Sequence, residues 1–226
     1  MATLPEYAII VAGGSGTRMQ HDTPKQFIEV AGKPVLMHTI ERFYKYNPQI
    51  RLVVVLPQEQ LNAWRSLCQE HSFKLFHMTV PGGATRFASV KNGLDSVYGE
   101  ALVAVHDGVR PFVETATIKA AFEVAATYGN AVVTVSPKDS IRELKGEGST
   151  AVPRDKYKLV QTPQCFQAGI LRKAYEQPEQ EYFTDDASVV ESIGESITLV
   201  EGSYRNIKIT TPEDLILAEA FARELG

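Results

Sequence analysis

A short apolar run, Tyr7-Ala8-Ile9-Ile10-Val11, opens directly into Ala12-Gly13-Gly14-Ser15-Gly16-Thr17-Arg18-Met19, with Pro24-Lys25-Gln26 close behind. The run has the length and composition of a buried strand. Successive glycines strip side chains from the loop behind it, so main-chain N–H groups can converge into a concave anion site. Arg18 and Lys25 supply charge that amides alone cannot, a combination suited to a polyphosphate. Neither common phosphate loop fits: the dinucleotide fingerprint would need glycine at Met19, and a P-loop would need G-K-[ST]. The serine-hydrolase elbow G-x-S-x-G fails at Thr17.

Beyond this loop, apolar runs alternate with helix-period segments, the βαβ pattern of a mostly parallel sheet. The spacing predicts helices over 35–46 and 59–71, a strand at 51–56 ended by Pro57, and another at 74–80 running into Pro81-Gly82-Gly83. Phe87, Val90, Leu94 and Val97 then recur at helical spacing behind a candidate N-cap, Thr85. A continuous apolar strand at 101–105, a helix at 118–128 closed by Gly129, and a strand at 131–135 come next. Residues 138–158 lose the core periodicity; flanked by 140–144 and 156–160, they read as a β-hairpin arm standing off the domain, an insert long enough to suggest function. Helices at 168–176 and 185–193, strands at 197–200 and 207–210, and a helix opening at Thr211-Pro212-Glu213-Asp214 complete the pattern. The expectation is a single α/β, Rossmann-like domain over 1–226, its mostly parallel twisted sheet flanked by helices, with 138–158 as the protruding arm.

Composition narrows the function. The 226 residues carry a formal charge of −4 and an isoelectric point near 5.8, which argues against a nucleic-acid binder. An acidic enzyme can still serve anionic substrates if its cations converge, and Arg18, Lys25, Arg86, Arg110, Arg154 and Lys208 are the candidates. Two cysteines, Cys68 and Cys165, form no disulfide framework or zinc spacing and suit a reducing cytoplasm. No signal peptide or membrane span is expected.

His106-Asp107-Gly108-Val109-Arg110-Pro111 comes after a buried strand, which places Asp107 toward the cleft that the glycine loop faces. A lone carboxylate there suits Mg²⁺ shared with substrate phosphates, or a simple turn before Gly108. His106 reads as packed. Gly82-Gly83 before the Thr85 helix offers exposed amides at a helix N-terminus, or an ordinary loop. In Arg205–Thr210, Ile207 and Ile209 alternate with Asn206 and Lys208. Thr184-Asp185-Asp186 reads as a helix cap, and Thr162-Pro163-Gln164 as a turn. No nucleophile–base pair announces itself. Nucleotidyl transfer to a phosphate needs none, since the attacking group is already an anion and the task is positioning and charge stabilisation.

Together, AGGSGTRM with PKQF, GGATRFASV, VHDGVRPF, VQTPQCF, TDDASVVE and NIKITTPEDL, in this order across nearly the whole chain, resemble the 2-C-methyl-D-erythritol 4-phosphate cytidylyltransferase family. That resemblance implies transfer of CMP from CTP to 2-C-methyl-D-erythritol 4-phosphate with Mg²⁺. Ala12, Gly13, Gly14, Ser15, Gly16, Thr17 and Arg18 would hold the CTP phosphates, and Lys25 would stabilise the transferring α-phosphate. Gly83, Ala84 and Ser89 would read cytosine, Asp107 would lie near ribose and Mg²⁺ with Arg110 beside it, and Lys208 would contact phosphate. It further implies a homodimer interlocked through the arm, with Ser140 and Arg154 gripping the acceptor across the interface. Ala84 stands where an acid is common and Ser140 where threonine is usual. Ribitol-5-phosphate cytidylyltransferases resemble the chain over most of the same motifs; TDDASVVE and VEGSYRNIK favour the first family. Bifunctional nucleotidyltransferases with a β-helix domain share GxGTRM, but this length leaves no room for that domain. A nucleotide-binding scaffold without turnover would typically lose the cations that Arg18 and Lys25 retain.

Overall fold

The computed structural model describes residues 4–13 and 23–224. The first strand, β1 (Glu6–Val11), is followed by a small hairpin of β2 (Glu29–Val30) and β3 (Lys33–Pro34), then α1 (Val35–Tyr46) and β4 (Arg51–Leu56). Next come α2 (Leu61–Glu70), β5 (Met78–Pro81), α3 (Arg86–Leu94), β6 (Leu102–Asp107), α4 (Thr115–Tyr128) and β7 (Asn130–Val135). The chain then forms β8 (Ile141–Lys145), β9 (Gly148–Val152), β10 (Leu159–Gln167), α5 (Ala168–Tyr175), α6 (Asp186–Glu191), β11 (Leu199–Glu201) and α7 (Pro212–Arg223).

Seven strands form one sheet in the order β11-β7-β10-β6-β1-β4-β5. All its neighbours run parallel except β10, which is antiparallel to both β6 and β7. The apolar runs are continuous because both faces are covered. Ala8, Ile10, Leu52, Val54 and Ala104 join Leu36, Ile40, Phe43 and Phe122 of α1 and α4 in one core. Alternate residues Ile9, Val53, Val55, Val103 and Val105 pack on the other face against Val90, Leu94, Leu171 and Val190 of α3, α5 and α6. Val11 is in register with Val55 and with Asp107, so β1, β4 and β6 finish at one edge. Backbone bonds from Ala12 N to Val55 O (2.9 Å), Gly82 N to Leu56 O (2.7 Å) and Gly108 N to Val11 O (2.8 Å) tie the three adjoining turns to that edge.

Several local expectations change. The third expected strand begins at Met78, since His77 Nδ1 donates back to Leu75 O (2.7 Å) and its Nε2 accepts from Trp64 (2.9 Å), holding the preceding residues onto α2. The hairpin pairs Ile141–Lys145 with Gly148–Val152, not with 156–160. Thr162-Pro163-Gln164 is no turn: it lies inside β10, where the register shifts between Val160 and Gln164 and the Thr162–Pro163 peptide is cis. Residues 207–210 form no ladder with any described strand. Ile209 N makes a single bond to Val109 O (2.9 Å), and the Ile209 side chain enters a third small core with Val109 and Phe112. Asn206, expected to share the outer face with Lys208, points inward and is buried.

Candidate active site

The turns after β1, β5 and β6 converge because their strands end together. A cleft of about 350 Å³ between them is lined by Ala12, Gly13, Lys25, Gly83, Ala84, Thr85, Arg86, Ser89 and Lys208, among others. Lys25 lies on a 3-10 turn, Lys25–Phe27, anchored by Gln26 Nε2 donating to Gln60 (2.5 Å) and by Phe27 stacking on Trp64 at 5.9 Å. The predicted phosphate contacts Gly14, Ser15, Gly16, Thr17 and Arg18 lie outside the described residues.

Thr85 caps α3, its hydroxyl accepting from Ala88 N (3.1 Å), and directs the positive end of the helix toward the cleft. Ser89, one turn on, accepts from Gly83 N (3.1 Å) and donates to Thr85 O (2.8 Å). The Ser89 hydroxyl therefore shapes the Gly82–Thr85 loop from within.

A second cavity, about 270 Å³, adjoins the first and is lined by Arg86, Asp107, Arg110, Gln161, Thr162, Gln164, Thr184, Asp185 and Lys208. Arg86 and Lys208 belong to both walls. Asp107 Oδ2 pairs with Lys208 Nζ at 3.1 Å and Arg110 Nε at 3.2 Å, while Oδ1 lies 3.9 Å from Arg86 Nε. Burial opposes ionisation of Asp107, but Lys208, Arg110 and Arg86 outweigh it and hold the carboxyl well below the usual carboxylate range. Arg110 is fixed by a bond from Nη1 to Asn206 O (2.8 Å), and Asn206 by a bond to Thr162 O (2.8 Å). His106 is packed as expected, its ring edge-on to Phe43 at 4.9 Å and its Nε2 3.1 Å from Arg110 O.

The structure thus joins Lys25, Gly83, Ala84, Ser89, Asp107, Arg110 and Lys208 in one pair of cavities. Ser140 and Arg154 line neither. Both are exposed beside the arm, where Arg154 Nη1 donates to Lys138 O. Arg86 is more than a free cation: its two Nη groups bind Asp186 at 3.0 and 2.5 Å. Asp185 is the N-cap expected of it, accepting from Ser188 N (2.9 Å), and it also accepts from Gln164 Nε2 (2.9 Å). Thr162 was missed by sequence reasoning; its Oγ1 accepts from Asp107 N (3.0 Å) and fixes the end of β6. Thr184 and Gln164 were missed too, since only the fold brings them beside Asp107. Among the described residues no cluster of three His, Cys, Asp or Glu side chains could hold a metal. The second cavity is bordered by two carboxylates, Asp107 and Asp185, a set that suits an ion arriving shared with phosphates and water and does not suit a resident protein-caged one.

The family model described as 2-C-methyl-D-erythritol 4-phosphate cytidylyltransferase matches residues 7–224. A relative of that name from Bacteroides thetaiotaomicron is 50% identical over 217 residues, 96% of this chain and 99% of its own. Another from Phocaeicola vulgatus is 51% identical over 213 residues, 94% of this chain and 97% of its own. The crystal structure of 2-C-methyl-D-erythritol 4-phosphate cytidylyltransferase from Thermus thermophilus is 33% identical with a TM-score of 0.78, covering 98% of this chain and 100% of that one. The 4-diphosphocytidyl-2C-methyl-D-erythritol synthase from Anaerococcus prevotii is 28% identical with a TM-score of 0.84, covering 97% and 96%.

Proposed function

We propose, for a chain that belongs to the 2-C-methyl-D-erythritol 4-phosphate cytidylyltransferase family, that its two adjoining cavities are the donor and acceptor sites of one nucleotidyl transfer. The enzyme moves CMP from CTP onto the phosphate of 2-C-methyl-D-erythritol 4-phosphate, giving 4-diphosphocytidyl-2-C-methyl-D-erythritol and pyrophosphate in the non-mevalonate route to isoprenoid precursors. An oxygen of the acceptor phosphate attacks the α-phosphorus of CTP. The new P–O bond forms as the α–β bridge breaks, and pyrophosphate departs with the bridging electron pair.

The cleft holding Lys25, Gly13, Gly83 and Ser89 takes CTP; the cavity holding Arg110, Thr162 and Thr184 takes the acceptor. The observation that carries this reading is that Lys208 lines both. A cation shared by two phosphate sites offsets the repulsion between two anions brought into contact and stabilises charge in the transition state. Lys25 neutralises the α-phosphate and leaving group from the donor side. Asp107, already an anion, would hold Mg²⁺ together with the triphosphate; when bound, that ion supplies neutralisation of phosphate oxygens. Ser140 and Arg154 would serve the acceptor cavity of a second protomer, reached by the arm of a homodimer. The formal charge of −4 argues against a nucleic-acid partner, the two free cysteines fit a cytoplasmic enzyme, and no described helix is long and apolar enough to cross a membrane.

Steady-state kinetics of Lys208→Ala test the shared cation. We expect both KM values to rise and kcat to fall by about 10²–10³, the usual cost of losing one preorganised charge. A change in one substrate's KM alone, with kcat intact, would contradict the shared wall.

A further inference from the structure

Asp186 is wholly buried, yet carries three strong contacts. Its Oδ1 accepts from Arg86 Nη1 (3.0 Å) and from the Tyr175 hydroxyl (2.6 Å), and its Oδ2 accepts from Arg86 Nη2 (2.5 Å). Arg86 is the first residue of α3 and Asp186 the first of α6, so the pair joins segments 100 residues apart. Tyr175 is itself fixed, stacked on Phe87 with ring centroids 4.6 Å apart. Burial, reinforced by Asp186, pushes its hydroxyl pKa well up, so it stays protonated as a donor.

A buried ion pair is a weak device for stability, since apolar residues of similar volume usually serve as well. This one stands where position matters. The Nη edge of Arg86 is occupied by Asp186, which leaves the Nε edge facing Asp107 at 3.9 Å, within attraction but beyond hydrogen-bond length. The guanidinium therefore forms part of both cavity walls without closing on Asp107. Released from Asp186, its planar fork would find a bidentate partner in the Asp107 carboxylate, and the partition between the cavities would move.

We propose that Asp186, held by Tyr175, is a positioning residue for the transfer: it fixes the Arg86 guanidinium as the partition between donor and acceptor cavities. This rests on the assignment of those cavities to CTP and acceptor. A misplaced wall changes the approach of acceptor oxygen to α-phosphorus more than it changes ground-state binding, because the Gly83 loop and Lys25 still hold CTP.

The test is a kinetic cycle on the full chain with CTP, Mg²⁺ and methylerythritol phosphate: wild type, Asp186→Asn, Arg86→Gln, the double variant and Tyr175→Phe, each with a thermal melt. Asp186→Asn should lower kcat by about tenfold to a hundredfold, with the KM for CTP changed less than roughly threefold. The double variant should be no worse than Arg86→Gln alone, because Asp186 acts through Arg86. Tyr175→Phe, which keeps the ring, should lose roughly twofold to fivefold in kcat, and it carries the test if Asp186→Asn does not fold. Normal kcat in folded Asp186→Asn or Tyr175→Phe, losses that add in the double variant, or a loss confined to KM would each overturn the positioning role. Wild type without transfer would overturn the reading of the cavities and this inference with it; active wild type with unaffected variants would overturn the inference alone.

Discussion

At Gly83 the space for a side chain is already taken. A methyl group there would overlap the Ala88 methyl and lie 3.0 Å from the Ala88 carbonyl carbon, so the first turn of α3 would have to shift. Gly83→Ala is expected to destabilise the fold by about 1–3 kcal/mol and to raise the KM for CTP, since the displaced loop borders the cleft proposed to take CTP. Melts and initial rates check both; an unchanged KM would contradict the loop assignment. His106 makes a different prediction. Its burial pushes the pKa from 6.5 down to about 4, against the Arg110 carbonyl and Asp107, which favour the proton. The unfolded chain then takes up a proton that the folded chain refuses. The contribution is complete above about pH 6.5 and is lost as pH falls toward about 4, at most ~3 kcal/mol. Burial lowers His38 and His77 in the same direction, so they share this limb. Asp107, held below the usual range, contributes above about pH 4 and loses that stabilisation only at lower pH. His106→Gln should flatten the fall in Tm between pH 6.5 and 4 relative to wild type, and a parallel limb would contradict this account.

The arm illustrates what an element reveals when it has nothing to bury. Among the described residues β8 and β9 pair only with each other, and nearly all of their residues are exposed. A two-stranded hairpin is marginal alone, so the proposed dimer gives it a surface to lie on. Replacing 141–152 with a short Gly-Ser link should reduce the sedimenting mass to one protomer; a retained dimer mass would remove the arm from the interface. Elements with strong local signals were legible in the sequence. β1, β4, β6 and β7 are unbroken apolar runs because helices cover both sheet faces, and α1 and α4 carry helical periodicity. Pro163 misled, because its missing N–H suggests a turn, whereas a bulge in β10 tolerates it. Residues 207–210 misled in the opposite sense: alternation suggested a strand, but the segment docks through one backbone bond and Asn206 turns inward to Thr162. The aspartate pair at the start of α6 gave only its cap. That Asp186 meets Arg86, and that Thr162, Gln164 and Thr184 border Asp107, depends on contacts far apart in sequence that no local spacing encodes.

For the whole molecule, parallel strands ending at one edge gather three turns and their cations into two connected cavities. Lys208 and Arg86 line both, and in the proposed reading this shared wall is where two phosphate-bearing substrates would meet. The antiparallel β10 adds Thr162 and Gln164 to the cavity that Asp107 lines, the one proposed for the acceptor. The general shape of this arrangement stems from the βαβ pattern, but the side chains that line the cavities come from separate segments. The decisive measurement is a product assay with CTP and Mg²⁺ in which methylerythritol phosphate and ribitol 5-phosphate are offered side by side and the phosphorus products are identified. Diphosphocytidyl-methylerythritol formed in step with pyrophosphate, and preferred over the ribitol product, is the expected result. CTP binding without pyrophosphate release, or preferential formation of the ribitol product, would contradict it.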